Sequence, residues 1–541
     1  MQEKPWFSRW PTDVPKHLDY PKVPLYGLLS ETAKKQPNHT AVVFQESTLS
    51  YAQLNSLSDS FAVALQSLNV NKGDCVALFS PNLPQFVIAY YGALKTGAVL
   101  TALSPLHKER EVEYQLVDSE AQTIVVLDSL YPLVESVWQK TKIRNIIVTT
   151  LGAHSTQASV AAGVKQKSNV YSFQELLKQN STAKPPCVDV DPAEDLAVLQ
   201  YTGGTTGTAK AAMLTHSNLV ANAVAFASWI KGADKDVFLV ALPLFHIYGM
   251  TTSLNVPVSL AAKMVLLPKF DAVKVLQTIQ QHRVTVYCGS PTMYSVLLAN
   301  PELSKYDLTS IRVCISGASP LPPQVQKNFM DVTGGLLAEG YGLTEASPVT
   351  HCNPVDKTMR TVKVGSIGLP IPGTDAKIVD LETGAKSLRP NEIGELAVKG
   401  PQVMKGYWRR PDETKAVLRD GWLLTGDIAK MDEDGYFYIT DRKKDLIKYK
   451  DYSVYPRELE DVLYEHPAVK LCAVVGKPEP AVGDVPKAFV VLKEGSEVAA
   501  SELVDFVNGK VAPYKAIREI EIRKELPLSS AGKVLRRALR S

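Results

Sequence analysis

The chain has 541 residues, of which 45% are hydrophobic and 21% are charged, and its formal net charge is +3. This length exceeds what one ordinary core holds, so we expect several domains of a soluble globular protein. The nearly balanced charge gives no argument for nucleic-acid binding. Six cysteines without a C-x-x-C pair suit reduced thiols better than a disulfide framework or a zinc site.

The sequence shows no pattern of a targeting or membrane segment. The first residues mix charge, proline and aromatic side chains, unlike a secretory signal. The most apolar stretch, residues 251–268, is interrupted by Asn255, Pro257 and Lys263, which argues against a membrane span. The C-terminal Leu-Arg-Ser does not match the peroxisomal tripeptide. We therefore expect a cytoplasmic protein.

The first 320 or so residues predict parallel α/β structure, because apolar runs typical of buried strands alternate with helical spacing. The clearest helix is predicted at residues 84–94. The predicted strands are residues 75–79, 123–127, 145–150, 237–242, 284–288 and 311–316. The polar residues 152–191 are predicted to be an insertion with little core of its own.

The sequence changes character beyond residue 362. Short strands with glycine turns, at residues 394–400 and 435–439, predict an all-β subdomain. The last hundred residues follow a charged segment, residues 441–445, and return to a mixed α/β pattern. They predict a separate small domain.

Residues 201–210, Tyr-Thr-Gly-Gly-Thr-Thr-Gly-Thr-Ala-Lys, predict a phosphate-binding loop. Three glycines and four threonines cannot build a core, but their N–H groups and hydroxyls can converge on an anion, and Lys210 adds positive charge. Apolar runs at residues 196–199 and 211–214 are expected to hold the loop between two strands, which argues against a merely flexible turn. The loop is not a Walker A motif, because no G-K-[ST] follows the glycines.

This loop resembles the phosphate loop of the adenylate-forming superfamily, which includes acyl-CoA synthetases, aryl-CoA ligases, firefly-type luciferases and peptide-synthetase adenylation domains. Five further segments match in the family's order, and the opening residues 4–26 are similar to prokaryotic long-chain fatty-acid–CoA ligases. The resemblance implies an α/β fold with a large N-terminal domain, residues 1–440, of two doubly wound α/β subdomains plus a β subdomain. A hinge at residues 441–445 and a small, mobile α+β domain at residues 446–541 would follow.

The resemblance also implies the nucleotide-binding residues. In the phosphate loop they are Thr202, Gly203, Gly204, Thr205, Thr206, Gly207 and Lys210. In an adenine-side turn they are Gly317, Ala318 and Ser319. In a nucleotide and magnesium motif they are Gly340, Tyr341, Gly342, Thr344 and Glu345. Asp427, Arg442 and Lys533 complete the set.

The residue types suit these implied roles. Tyr341 offers a flat face to adenine, and Thr344 offers a hydroxyl to the α-phosphate. Glu345 offers an oxygen ligand to Mg²⁺, which prefers one or two carboxylates plus phosphate oxygens. Asp427 can accept hydrogen bonds from both ribose hydroxyls, and Arg442 would contact the ribose or a phosphate.

Lys533 is the implied catalytic lysine of the first step. A carboxylate that attacks the α-phosphate of ATP brings two anions together, and the nucleophile is already ionised, so no general base is required. Catalysis must come from positioning and from charge compensation by Lys533, Mg²⁺ and the phosphate loop. Lys444 occupies the position that acts as the hinge in relatives.

A second step would use another face of the small domain. In the family this domain rotates after adenylation and presents a surface for coenzyme A, and Lys448 matches the lysine associated with that step. Asp451 stands where the family usually carries glycine, so its side chain could crowd or repel coenzyme A. Ala209, where proline is common, should matter little.

His246 matches a family histidine near the acyl pocket, which would make it a further catalytic residue. A lone histidine among apolar residues is more often a core residue, so both interpretations stay open. Residues 287–291 would form another wall of that pocket.

These patterns predict an ATP- and Mg²⁺-dependent ligase that converts a medium- to long-chain fatty acid to acyl-AMP and pyrophosphate, and then to acyl-CoA and AMP. The alternatives are an aryl-acid, 4-coumarate-like ligase, a luciferase-like oxygenase, and a nucleotide- or acyl-adenylate-binding protein with an impaired coenzyme A step. The expected partners are the carboxylic acid, ATP and coenzyme A, without nucleic acid. No integral membrane segment is expected, contact with a membrane surface would be transient, and the chain would be a monomer or a homodimer.

Overall fold

The computed structural model describes residues 4–151, 168–181, 184–185, 187–202, 209–356, 358–450, 452–479, 482–528 and 534–540. The helices are α1 (Leu25–Lys35), α2 (Tyr51–Ser67), α3 (Pro84–Lys95), α4 (Glu109–Asp118), α5 (Tyr131–Val137), α6 (Phe173–Gln179), α7 (His216–Trp229), α8 (Ile247–Gly249), α9 (Val256–Leu260), α10 (Ala272–His282), α11 (Pro291–Leu298), α12 (Pro323–Thr333), α13 (Pro411–Val417), α14 (Pro456–Tyr464) and α15 (Ala500–Asn508).

The strands of the first two sheets are β1 (Thr40–Phe44), β2 (Ser47–Ser50), β3 (Cys75–Phe79), β4 (Val99–Leu103), β5 (Thr123–Leu127), β6 (Asn145–Thr149), β7 (Val170–Ser172), β8 (Leu196–Tyr201), β9 (Ala211–Thr215), β10 (Val237–Val240), β11 (Lys263–Leu266), β12 (Val286–Gly289), β13 (Val313–Ser316), β14 (Leu336–Gly342), β15 (Val349–Cys352) and β16 (Leu369–Pro370). The later strands are β17 (Asp375–Val379), β18 (Gly394–Lys399), β19 (Gly406–Tyr407), β20 (Leu418–Arg419), β21 (Trp422–Met431), β22 (Phe437–Arg442), β23 (Ile447–Tyr449), β24 (Tyr452–Val454), β25 (Val469–Glu479), β26 (Gly483–Leu492) and β27 (Glu519–Ile522).

The large domain contains two mainly parallel sheets. One has the strand order β16-β15-β14-β13-β12-β10-β11-β1-β2, and the other has the order β19-β9-β8-β4-β3-β5-β6-β7. Neighbours from β14 to β1 in the first sheet and from β8 to β7 in the second are parallel. The six strands predicted from apolar runs correspond to β3, β5, β6, β10, β12 and β13, so those predictions are confirmed.

Helix α3 shows why the two sheets form one core. Every residue of α3 is buried, and its sequence is apolar around most of its circumference, which suits a helix covered on all sides. The Tyr91 hydroxyl donates to Asn255 Oδ1 at 3.1 Å, which ties α3 to the segment between α8 and α9. One apolar cluster extends across both sheets and the helices between them.

Two expectations about the large domain were wrong in part. Within the stretch expected to lack a core, β7 joins the second sheet, and α6 buries Phe173 against Phe61 with ring centroids 4.9 Å apart. The apolar residues of α6 are few and spaced at helical intervals in a polar stretch, so composition hid them. The subdomain expected to be all-β has an antiparallel sheet of β17, β18, β20, β21 and β22, but α13 lies within it.

The small domain has its own sheet and core. Strands β24-β23-β26-β25 are antiparallel neighbours, and β27 pairs with β26 in parallel. Apolar residues of α14 and α15 pack on this sheet, in a cluster with members from Ile447 to Ile520. The predicted α/β fold with a large N-terminal and a small C-terminal domain is confirmed. In the described ranges, no helix is long and apolar enough to cross a membrane.

Candidate active site

The predicted phosphate loop lies between two antiparallel strands, as expected. Tyr201 at the end of β8 is opposite Ala211 at the start of β9, and the Thr202 N–H donates to the Lys210 carbonyl at 2.8 Å. The Tyr201 hydroxyl donates to Asp118 Oδ2 at 2.7 Å, which anchors the base of the loop. The predicted residues Gly203, Gly204, Thr205, Thr206 and Gly207 lie outside the described residues.

Lys210 and Glu345 both contact the side chain of Tyr407. Lys210 Nζ is 2.5 Å from Glu413 Oε2 and 4.9 Å from the ring centroid of Tyr407. The Tyr407 hydroxyl donates to Glu345 Oε1 at 2.7 Å. Burial and the Glu345 charge raise the pKa of Tyr407, so its hydroxyl keeps the proton that it donates. The structure therefore brings the loop cation and the predicted metal carboxylate together.

The chemistry of Glu345 fits a magnesium ion that is shared with a nucleotide. Mg²⁺ is usually held by one or two carboxylates and by phosphate oxygens. The hydrogen bond from Tyr407 orients the Glu345 carboxylate beside the base of the phosphate loop. Among the described residues, no group of three or more His, Cys, Asp and Glu side chains could hold a metal.

Asp427 joins two of the other predicted residues. The Tyr341 hydroxyl donates to Asp427 Oδ2 at 2.5 Å, and Arg442 Nε lies 3.1 Å from Asp427 Oδ1. Asp427 and Arg442 are directly opposite each other on β21 and β22. Asp427 is only 4% exposed. Its charge raises the pKa of Arg442. Burial of Tyr341 and the charge of Asp427 together raise the pKa of Tyr341. Both carboxylate oxygens are therefore held in place.

The predicted adenine-side turn follows β13 and rests on Tyr248. Ala318 has φ of 70°, a left-handed conformation that reverses the chain. A Cβ atom at Gly317 would lie 3.0 Å from the Tyr248 ring, so the close approach of the ring favours glycine. The Tyr248 hydroxyl donates to the Ile315 carbonyl at 2.9 Å, and Ser319 is half-buried at the end of the turn.

The nucleotide and magnesium motif begins on β14, the strand next to β13. A Cβ atom at Gly342 would lie 2.2 Å from the Pro348 carbonyl oxygen, so this position requires glycine. A Cβ atom at Gly340 would lie 3.1 Å from Ile315 Cγ2. Thr344 is half-buried at the start of the 3₁₀ turn that also contains Glu345. The motif therefore carries Tyr341 and Glu345 on either side of a tightly packed bend.

His246 is half-buried at the N-terminus of α8, where its Nδ1 accepts the Tyr248 N–H at 3.2 Å. This contact links His246 to the residue that supports the adenine-side turn. Tyr287, in the segment expected to form a wall of the acyl pocket, packs its buried ring against Tyr294 in a second core cluster. The catalytic role of His246 and the pocket role of residues 287–291 stay predictions.

The residues of the predicted hinge contact both domains. Strand β22 continues to Arg442. Lys443 Nζ lies 2.8 Å from Glu395 Oε2 of β18. Asp445 pairs instead with the C-terminal segment, with Arg540 Nη2 at 2.8 Å and Arg536 Nη1 at 3.4 Å. Burial and the charge of Arg442 lower the pKa of the half-buried Lys444 to about 8. The domain boundaries and the hinge role stay predictions.

Of the two lysines predicted to serve the two steps, the structure describes one. Lys448 on β23 is exposed, and its Nζ lies 3.4 Å from Ser453 Oγ on the paired strand β24. Asp451 and Lys533 lie outside the described residues. Val534, the residue after Lys533, forms an isolated β-bridge with Leu528.

A family model described as AMP-binding enzyme matches residues 29–408, which include the phosphate loop, the adenine-side turn and Glu345. The chain belongs to the AMP-binding enzyme family. A second model, the AMP-binding enzyme C-terminal domain, matches residues 458–533.

Individual relatives align with nearly the whole length of this AMP-binding enzyme. It is 44% identical to a long-chain-fatty-acid–CoA ligase of Bacillus subtilis, over 100% of this chain and 98% of the relative. It is also similar to the crystal structure of ATP-bound MatB from Rhodopseudomonas palustris, with a TM-score of 0.85, 30% identity and coverage of 96% and 98%. Apo MatB from the same organism has the same identity and coverage but a TM-score of 0.74.

Sequence reasoning missed several residues that shape the site of this AMP-binding enzyme. Tyr407 orients Glu345, Glu413 pairs with Lys210, and Glu395 pairs with Lys443. Each comes from the β subdomain or from the segment that joins it to the second sheet, far in sequence from its partner. No spacing pattern could have found them.

Proposed function

We propose that the chain is an ATP-dependent acid–thiol ligase that converts a medium- to long-chain fatty acid to acyl-AMP and pyrophosphate, and then to acyl-CoA and AMP. The observation that carries this proposal is the convergence of Lys210, Glu345, Asp427 and Arg442 around the phosphate loop and the end of β14. One cation beside a glycine-rich loop, a carboxylate for a metal, and a carboxylate for ribose hydroxyls are the groups that hold a nucleoside triphosphate.

In the first step, the fatty-acid carboxylate attacks the α-phosphorus of ATP, the bond to the β-phosphate oxygen breaks, and pyrophosphate leaves. Thr344 would donate to the α-phosphate, while Lys210 and Lys533 offset the negative charge that gathers there. Asp427 and Arg442, already in contact, would hold the ribose and fix the angle of attack. Bound Mg²⁺ would neutralise phosphate charge, with Glu345 as its protein ligand.

In the second step, the thiol of coenzyme A attacks the acyl carbon, the bond to the phosphate oxygen of AMP breaks, and AMP leaves as the acyl-CoA forms. We assign Lys448 to this step because it is an exposed cation on the small domain, available to a surface that approaches the adenylate. The thiol proton is released to solvent. His246 would lie beside the acyl group in both steps.

The preference for a fatty acid rests on the long-chain-fatty-acid–CoA ligase that shares 44% identity with the whole chain. A cytoplasmic location and a monomeric or homodimeric state remain part of this proposal. Transient contact with a membrane surface is also part of this proposal.

A panel of carboxylic acids tests the proposal. Acetate, octanoate, laurate, palmitate and coumarate are each supplied with ATP and Mg²⁺, and AMP release is measured with and without coenzyme A. We expect the highest turnover with octanoate to palmitate, and a strong dependence of AMP release on coenzyme A. Highest turnover with coumarate would favour an aryl-acid ligase. Acyl-AMP formation without any thioester would contradict the second step.

A further inference from the structure

Arg457 belongs to the small domain but makes its polar contacts with the large one. It is the second residue of α14, and α14 buries Leu459 and Leu463 in the core of the small domain. The helix is therefore fixed to the small domain and moves with it. Arg457 itself is half-buried at the helix end that faces β22 of the large domain.

Two hydrogen bonds join Arg457 to β22. Its Nη1 donates to the Ile439 carbonyl at 2.7 Å, and its backbone N–H donates to Asp441 Oδ2 at 2.9 Å. Asp441 is 3% exposed, and its other oxygen accepts the N–H of Arg442 at 2.7 Å. A carboxylate that accepts an N–H from the first turn of a helix satisfies a donor that otherwise has no partner in the helix.

Arg457 also places a positive charge opposite a buried acid of the large domain. Glu339 on β14 is 5% exposed. Burial raises its pKa to about 7, although the positive charge of Arg457 acts to lower it. The N–H of Leu321 also favours the ionised carboxylate, whereas the charge of Asp461 opposes it. Without Arg457, the negative form of Glu339 would lose the main opposite charge that faces it.

The domain arrangement that these contacts hold brings the C-terminal segment to the nucleotide residues. Arg540 pairs with Asp445 at 2.8 Å, and the Asp445 N–H donates to the Arg442 carbonyl at 2.9 Å. Because Arg442 pairs with Asp427, the segment that follows Lys533 is tied to the hinge next to the residue assigned to the ribose. The chain also superimposes better on ATP-bound MatB than on apo MatB, with TM-scores of 0.85 and 0.74.

We propose that Arg457 is a positioning residue for adenylation: it docks the small domain on β22 in the arrangement that serves the first step. This inference rests on the proposed function for the identity of that step. Arg457 contacts no substrate in this scheme. It acts through the placement of the terminal segment, and the second step, which uses the Lys448 face, does not need its contacts.

The test measures the two half-reactions separately in Arg457→Met, which removes the charge and the side-chain donor to Ile439 but keeps the backbone N–H that donates to Asp441. Adenylation is followed by laurate-dependent exchange of pyrophosphate into ATP, and the second step by lauroyl-CoA formation from supplied lauroyl-AMP. We expect exchange to fall about 10- to 100-fold, the effect of losing one charge-assisted hydrogen bond, with the second step unchanged. Equal losses in both half-reactions, or unchanged exchange, would overturn the proposal.

Two further variants support the comparison. Arg457→Lys keeps the positive charge but loses the planar guanidinium donors, so we expect a smaller decrease in pyrophosphate exchange and no change in the second step. If Arg457→Met does not fold, Arg457→Lys provides the test. Arg523→Met is the matched control, because Arg523 pairs with Glu521 within the small domain at 2.7 Å. We expect it to change neither half-reaction.

Small-angle X-ray scattering separates a failure of this inference from a failure of the proposed function. If no carboxylic acid supports exchange in the wild-type protein, the proposed function is wrong, but the docking role can still be measured. We expect a larger radius of gyration for Arg457→Met than for the wild type and Arg523→Met, because the small domain leaves β22. Identical scattering from folded Arg457→Met would contradict the docking role.

Discussion

The nucleotide residues of the large domain are already in contact with one another, whereas the lysine assigned to the second step is not held in this way. Tyr341 and Arg442 occupy both oxygens of Asp427 at 2.5 and 3.1 Å. Lys448 is exposed, with its Nζ 3.4 Å from Ser453 Oγ. A carboxylate with two partners is oriented before a substrate binds, while an exposed lysine loses rotamer freedom only when it acts.

This difference suggests how one enzyme can carry out two steps. The large domain supplies a fixed nucleotide site to both steps, and the small domain supplies the groups that each step needs in turn. Substitutions in the large domain should then impair both half-reactions, and substitutions in the small domain should impair one. The following predictions test this rule, beginning with the largest expected effect.

Lys533→Ala should abolish carboxylate-dependent pyrophosphate exchange, with a loss of about 1,000-fold, because Lys533 is the residue assigned to offset the charge that gathers at the α-phosphate. Acyl-CoA formation from supplied acyl-AMP should continue. Near-normal exchange in this variant would rule out the role assigned to Lys533. Lys524→Ala, a lysine of the same domain that nothing assigns to the site, is the control.

Asp427→Asn should lower both half-reactions by about 100-fold, because the ribose is held in both and the variant leaves the charge of Arg442 without its partner. The comparison uses the same two assays, exchange and thioester formation. Asp432→Asn is the control, since Asp432 pairs with Lys363 at 2.6 Å within the large domain. A loss in only one half-reaction would break the rule that the large domain serves both.

Lys448→Ala should lower thioester formation from supplied acyl-AMP by about 10- to 100-fold while exchange stays at the wild-type rate. Lys477→Ala provides the control, because Lys477 is another exposed lysine of the small domain and pairs with Glu519 at 2.7 Å. If Lys448→Ala reduced exchange as much as thioester formation, its assignment to the second step would be wrong.

Local patterns were sufficient to predict six strands of the two α/β sheets and the placement of the phosphate loop. The apolar run of β3 and the apolar runs of β8 and β9 on either side of the loop are contiguous in sequence, and a buried strand needs nothing more to be recognised. Glu345 and Asp427 were predicted from a family resemblance, and in the structure Glu345 contacts Tyr407 while Asp427 contacts Tyr341 and Arg442. Their roles in binding remain predictions.

The contacts that complete the site could not be predicted, because they join residues that are distant in sequence. Tyr407 reaches Glu345 only because β19 pairs with β9 of the second sheet. Arg457 reaches Ile439 only because two domains dock. A tyrosine or an arginine in a polar stretch is usually a surface residue, and only the fold distinguishes these two from the others.

Tyr407→Phe should have the smallest effect of the series and should show it in the dependence on Mg²⁺. The variant removes the 2.7 Å hydrogen bond to Glu345 Oε1 but keeps the ring beside Lys210. Loss of a partner that orients a metal ligand should raise the Mg²⁺ concentration for half-maximal exchange about 10-fold. Tyr438→Phe removes a comparable 3.0 Å bond, to Asp432, outside the site and should leave this concentration unchanged. Because Tyr407 belongs to the large domain, we expect the same increase in the half-maximal Mg²⁺ concentration for complete turnover. A lower rate at saturating Mg²⁺, with the half-maximal concentration unchanged, would mean that Tyr407 supports the phosphate loop rather than Glu345.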